Sequence, residues 1–246
     1  MTTNYDYIAD KYKESKLEGW RTYIEQYTLL QILGDISGKS ALDYACGEGH
    51  YTRVLRRLGA ESVLGVDLSQ SMIDLAKAEE SRSPLGIRYL QGDARFTALT
   101  ESSDIVFAAY LLNYAKSPQE LLEMAQAVSS NLRSGGRFVS VNNNPDDPPS
   151  NFLVGRPYGF TKHLEGHLVE GAPIVFRFHL SEGSFDVTNY HMEKATVEAA
   201  LFESGLREIR WHEPAVSPEG LRLKKAEHWA PFLARPPVAF FECTKL

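Results

Sequence analysis

The chain has 246 residues, 43% hydrophobic and 24% charged, with a formal net charge of −6; that suits one large α/β domain, or one domain with a substantial insertion, and disfavours disorder. The acidic balance, with no run of Lys and Arg, lacks the electrostatic footprint of stable nucleic-acid binding. The stretch MTTNYDYIADKYKESK is polar, nowhere do about 18 apolar residues run together, and Cys46 and Cys243 lie too far apart to suggest a disulfide framework, so a soluble cytoplasmic protein with reduced thiols and no membrane partner is expected.

Apolar periodicity predicts amphipathic helices over 5–13 and 21–34, then a strand over 40–46, a helix over 51–58, a strand over 62–67 and a helix over 70–80. The alternation continues with strands over 87–91 and 104–110, a helix over 118–133 and a strand over 137–142. DIVFAAY lacks strict alternation, as a parallel strand covered on both faces should. An α/β fold with a doubly wound, mostly parallel sheet follows. NNNPDDPPSN, residues 142–151, forbids helix and opens an insertion. APIVFRFHL and FDVTNYHM around SEGS read as a β-hairpin with Gly183 in its turn. EKATVEAALFESG is a helix ended by Gly205, LREIRWHEP a strand, SPEGLRLKKAEH a short helix and VAFFECTK a closing strand. The chain thus divides into N-terminal helices (1–34), a core (35–142), an inserted cap (143–192) and the rest of the core (193–246).

The stretch LDYACGEGH, residues 42–50, carries the first functional signal. In open α/β sheets ligands sit outside the carboxyl ends of the strands, and glycines in the first strand-to-helix turn let backbone N–H groups approach them. A dinucleotide site reads G-x-G-x-x-G. Here Ala45 stands where the entry glycine belongs and Thr52 replaces the third. Asp43, four residues before Gly47, would repel a pyrophosphate but attract an ammonium or sulfonium group.

D-x-A-C-G-E-G resembles the first motif of class I S-adenosylmethionine-dependent methyltransferases of small-molecule, natural-product type. The resemblance runs through most of the chain and implies a seven-stranded Rossmann-like sheet. It also implies S-adenosyl-L-methionine as cofactor and S-adenosyl-L-homocysteine as product. It places Asp43, Ala45, Gly47 and Gly49 under the methionine part of the cofactor. Asp67, in GVDLSQSMIDLAK, falls where a carboxylate holds both ribose hydroxyls, with Leu68 beside it. LQGDAR supplies Asp93 for the adenine amine and the Ala94 backbone. AAYLLNY supplies Tyr110 and Leu111 as wall and Asn113 on the substrate side. Asp43 as a loop cap, Asp67 as an N-cap and Gly92-Asp93 as an ordinary turn remain the structural alternatives.

YDYIADKY resembles the family's lid helix. Tyr5, Ile8, Ala9 and Tyr12 share a face and either close over the cofactor or pack as core; Tyr7 projects elsewhere, toward the sulfonium or substrate. Trp20 is a substrate-side candidate. Arg21 pairs with the cofactor's carboxylate or is a surface arginine.

If the acceptor loses a proton near neutrality, a histidine is the natural base. TNYHMEK resembles a family segment near the substrate opening, which makes His191 the first candidate and His179 the second, each alternatively a structural histidine. His163 and His167, four apart with Glu165 and Glu170 nearby, suit a metal on a helix face, but no third ligand has recognisable spacing and Gly166 weakens the helix, so no metal is assigned. The insertion's aromatics, Phe152, Tyr158, Phe160, Phe176, Phe178, Phe185 and Tyr190, suggest a flat acceptor as well as hairpin packing; Tyr158, Phe176 and Tyr190 are the substrate candidates. The expected activity is N- or O-methylation of a small aromatic or heteroaromatic natural product by a monomer or homodimer. The alternatives are quinone-type C- or O-methylation, and cofactor binding without transfer.

Overall fold

A computed structural model describes residues 18–97, 99, 101–181 and 183–246. The predicted helix over 5–13, with Tyr5, Tyr7, Ile8, Ala9 and Tyr12, lies outside the described residues.

Helix α1 begins as a π-helical segment, Arg21–Gln26, and continues as α-helix over Tyr27–Leu33. There follow β1 (Ser40–Tyr44), α2 (His50–Arg57), β2 (Ser62–Asp67), α3 (Gln70–Arg82), β3 (Arg88–Gln91), β4 (Ser103–Ala109), α4 (Pro118–Ser130) and β5 (Leu132–Asn143). Local chemistry sets the helix starts: the Ser69 side chain accepts from the Met72 N–H to cap α3, and Ser117 accepts from the Glu120 N–H ahead of Pro118 to cap α4. The chain then forms β6 (Phe160–Leu164), β7 (Pro173–Leu180) and β8 (Gly183–Tyr190). It closes with α5 (Lys194–Glu203), β9 (Leu206–His212), α6 (Pro218–Leu223), α7 (Ala226–Ala234) and β10 (Val238–Lys245).

The main sheet has seven strands in the order β3-β2-β1-β4-β5-β10-β9, with β10 antiparallel to both neighbours. Strand order reverses between β1 and β4, which opens a crevice at their carboxyl ends. Both faces are covered: Leu42 and Tyr44 of β1 join the core under α4 and α5, whereas Ala41 joins the core under α1 and α2.

Strands β6, β7 and β8 form a separate antiparallel sheet. The sequence signalled its last two strands, but Gly183, at φ +103°, opens β8 directly after the turn; β6 was not expected. Phe160, Phe176, Phe178, Phe185 and Val187 turn inward and meet α1 through Trp20, whose ring lies 5.2 Å from Phe160 and 5.5 Å from Phe232. A buried ion pair anchors this sheet: the Lys162 ammonium bonds Asp147 at 2.7 Å and the Pro237 carbonyl at 2.6 Å. Burial pulls the Lys162 pKa down while Asp147 opposes it. Two further boundaries differ from expectation. The predicted helix at 217–228 is two helices, α6 and α7, and β5 starts at Leu132 rather than 137.

Candidate functional site

A cavity of about 370 Å³ occupies the crevice at the strand ends. Strand β1 leaves Tyr44 into Ala45 at φ +56°, then Gly47 at φ +56° and Gly49 at φ +84°, where α2 begins. Ala45 therefore adopts the conformation of the glycine it replaces, at a strain of about 1–3 kcal/mol. Asp43, 1% exposed, lines the cavity and accepts from the Thr52 hydroxyl at 2.6 Å. Thr52, in the third glycine's place, thus orients the carboxylate.

Asp67, ending β2, accepts from the Gly47 N–H at 2.8 Å and the Ser69 N–H at 2.9 Å, which ties the glycine turn to the second strand and fixes the carboxylate at the cavity wall. Leu68 beside it lines the cavity and is 63% exposed. Ala94, Tyr110 and Leu111 line it as well. So does Asp93, but its carboxylate is gripped by Arg95 through Nε at 3.1 Å and Nη2 at 2.7 Å, and by the Arg95 N–H at 2.9 Å. Those hydrogen bonds hold Asp93 below the usual carboxylate range against the pull of burial. The wall past β3 is therefore an arginine-clamped acid. Its loop is pinned to β1 by the Tyr44 hydroxyl, which donates to the Thr97 carbonyl at 3.1 Å and accepts from Asn131 at 2.8 Å.

Gly49 stands at the left-handed start of α2. It does not line the cavity, and a Cβ there would sit 2.5 Å from the Tyr89 hydroxyl. Its role is the left-handed start of α2 and clearance for Tyr89.

Arg21 corrects the surface reading: it is 6% exposed and lines the cavity. Its guanidinium lies 4.7 Å from the Trp20 ring centre and 5.0 Å from that of Tyr110, and pairs with Glu25 at 3.1 Å. Glu25, 1% exposed, also accepts from the Tyr51 hydroxyl at 2.8 Å and from the Tyr110 hydroxyl. Tyr110 holds φ +65°, a left-handed conformation costly for an aromatic residue. Burial, and then the Glu25 charge, push the Tyr51 phenol well up. Sequence reasoning missed Glu25 and Tyr51; the visible signal was the Arg21/Glu25 spacing of four. The π-helical turn carrying both is a form that recurs at functional sites.

Two smaller recesses adjoin. One, about 20 Å³, shares Arg21, Tyr110 and Tyr114 with the main cavity; Trp20, Phe160, Phe176 and Phe178 wall it, and Asn143 and Asn189 close it. The other, about 40 Å³, shares Asn143 with the first and is lined by Asn113, Tyr190 and His191. Thus Trp20 and Phe176 stand next to the cavity, while Asn113, Tyr190 and His191 stand one recess away. No histidine lines the main cavity among the described residues. Burial lowers the His191 pKa, against the raising pull of the nearby Glu170, Glu193 and Asp146 carboxylates.

Other candidates lie elsewhere. Tyr158 donates to the His228 carbonyl at 2.5 Å and stacks on Trp229, which makes it packing under the inserted sheet. His179 and His163 are exposed on that sheet's outer face, sharing the Thr161 hydroxyl at 3.1 and 3.2 Å. His163 sits on a strand, so the helical pairing with His167 does not form. Cys46 and Cys243 are buried free thiols.

Residues 42–140 match a family model described as a methyltransferase domain. The ubiquinone biosynthesis O-methyltransferase of Coxiella burnetii is 34% identical over 125 residues, 50% of this chain and 49% of that protein; the chain spans about half the length of the curated relatives it matches. A putative S-adenosylmethionine dependent methyltransferase from Listeria monocytogenes superposes with a TM-score of 0.63 at 25% identity, over 90% of this chain and 96% of that one. The PH0226 protein of Pyrococcus horikoshii superposes over the whole of both chains with a TM-score of 0.69 at 18% identity, a likeness of fold.

Proposed function

We propose that the chain, whose residues 42–140 match a methyltransferase-domain model, is a class I S-adenosylmethionine-dependent methyltransferase that methylates a small aromatic or heteroaromatic acceptor on nitrogen or oxygen. The observation that carries this reading is the convergence of Asp43, Asp67 and Arg21 on one cavity at the point where strand order reverses. The donor set fits the cofactor. Asp67 suits two ribose hydroxyls, since a carboxylate accepts several protons at once. Asp43 suits an ammonium or sulfonium, and Arg21 suits a carboxylate. Ala94, Leu111 and Met124 offer an apolar wall for the base.

When bound, S-adenosyl-L-methionine supplies a methyl group on a cationic sulfur that is already a good leaving group. The chain's task is then to hold the acceptor in line, a contribution on the order of 7 to 11 kcal/mol. Tyr110, fixed by Glu25, and the aromatic walls beside it orient and exclude water. Catalysis by positioning agrees with a cavity wall that carries no histidine among the described residues.

A second reading, C- or O-methylation of a quinone-type acceptor, is favoured by the Coxiella relative. The test is incubation with methyl-labelled S-adenosylmethionine and separate panels of nitrogen heterocycles, phenols and demethylated quinols. Label should appear in the first two panels. Label only in the quinols selects the second reading, and cofactor binding with no label in any panel selects a binding protein without transfer.

A further inference from the structure

We propose, building on the methyl-transfer reading, that the aromatic recess receives one edge of the acceptor and selects a flat ring bearing a hydrogen-bond donor beside a hydrogen-bond acceptor, as the edge of a lactam or cyclic amide does. Asn143 and Asn189 read that edge.

Asn143 ends β5 opposite Val238 of β10, and Asn189 lies one residue from the end of β8 opposite Ile174 of β7. The two amides come from different sheets and meet at the recess, where Asn189 Nδ2 donates to Asn143 Oδ1 at a long 3.5 Å. Asn189 is 4% exposed. Its Oδ1, and the Nδ2 of Asn143, are buried with no hydrogen-bond partner among the described residues. The pair therefore leaves one acceptor and one donor unmet where the two amides border the recess. Rotating both amides by half a turn exchanges the two roles and keeps one of each.

Buried polar groups are costly to leave unmade, so two at one spot, in a wall otherwise made of rings, mark a place completed by a visitor. The rings set the visitor's shape. Phe160 and Phe176 lie nearly parallel at 16° with centres 6.2 Å apart, and Phe178 continues the series at 27° to Phe176. The volume of about 20 Å³ admits a group the size of a water molecule, hence an edge and not a whole ring. The body of the acceptor then extends past Arg21 and Tyr110 into the main cavity that both residues also line. A site built to hydrogen-bond rejects an analogue that lacks the matching groups far more strongly than an apolar pocket rejects a change of size.

The test uses the full chain saturated with S-adenosylhomocysteine and titrated calorimetrically with three fragments on one bicyclic ring frame: 2-quinolone, which has both groups; 1-methyl-2-quinolone, which lacks the donor and carries a methyl in its place; and quinoline, which lacks the paired edge without added bulk. The expected result is at least about tenfold tighter binding of 2-quinolone than of either other fragment. Asn143→Leu and Asn189→Leu should each abolish that preference and leave S-adenosylhomocysteine affinity unchanged. Equal affinity for the three fragments, or no binding of any, overturns the proposal and leaves the recess to a buried water. Failure to bind S-adenosylhomocysteine overturns the cofactor reading first and this inference with it. The fragment comparison on the unmodified chain decides the matter even if a variant does not fold.

Discussion

Glu25→Gln removes one negative charge and almost no volume from the buried cluster beside the cavity. Glu25 takes the Arg21 guanidinium on both oxygens, at 3.3 and 3.1 Å, together with two phenol hydroxyls from α2 and the end of β4. With both Arg21 and Glu25 almost fully buried, water screens little of their attraction. Loss of the carboxylate charge removes the guanidinium's buried partner Glu25, a destabilisation of about 3–5 kcal/mol. In a chain of this size each kcal/mol moves the melting temperature by about 2–4 °C, so a fall of roughly 6–20 °C is expected. That is a large part of the about 5–15 kcal/mol that ordinarily holds a domain folded. Thermal unfolding by circular dichroism measures it, and the double variant Arg21→Met/Glu25→Leu completes a cycle. The double variant should be more stable than Glu25→Gln, because apolar replacement removes both charges of the Arg21–Glu25 pair together. A Glu25→Gln protein within about 1 kcal/mol of the parent, or additive effects in the cycle, would refute the reasoning.

Gly49→Ala should lower the melting temperature through the Tyr89 clash and the φ of +84°, at a cost of about 1–3 kcal/mol, with S-adenosylhomocysteine affinity preserved; lost affinity without lost stability would return Gly49 to the cofactor site. Burial pushes the Tyr44 phenol up to about 12 from 10.0 and the Cys243 thiol up to about 12 from 9.0. The unfolded chain ionises at the ordinary values and the folded chain resists, so this stability is whole below pH 9 and is lost as pH rises through about 12. Urea titrations across that range check the slope, and Tyr44→Phe should remove its own share, on the order of 3 kcal/mol. His191→Ala should change kcat less than about tenfold, because the ring lines a recess apart from the main cavity; a loss of about 100-fold to 10,000-fold would make it the general base.

Legibility followed the range of the forces involved. Strand β1 carries Asp43 next to its last residue and β2 ends in Asp67, each just before a turn, so these termini and the acids they carry show in a short window of sequence. Asp93 showed as an acid after the third strand; the Arg95 that clamps it stands only two residues on, a local contact that a reading of Gly92-Asp93 as a turn passes over. Glu25 in isolation reads as the solvated face of an amphipathic helix; its burial depends on Tyr51 and Tyr110, which lie 26 and 85 residues away. The π-helical turn changes the residue count by one per turn, too little for periodicity to register. Strand β6, FTKHL, places Lys162 on its buried side because Asp147 and the Pro237 carbonyl await the ammonium, which defeats any apolar alternation. Helix α7 holds Pro231 in its interior, a residue that disfavours helix in a sequence window. For the histidines, Tyr-His before a helix fixed position in sequence; which cavity the ring borders was settled by the packing of the inserted sheet.

The most direct measurement is calorimetric titration of the parent chain and of Asp67→Ala with S-adenosylhomocysteine. The account predicts one site per chain in the parent and at least about tenfold weaker binding in the variant, since a charge-assisted hydrogen bond contributes about 1.5–3 kcal/mol. A folded Asp67→Ala protein with undiminished affinity, or a parent chain that binds NAD in place of S-adenosylhomocysteine, would contradict it.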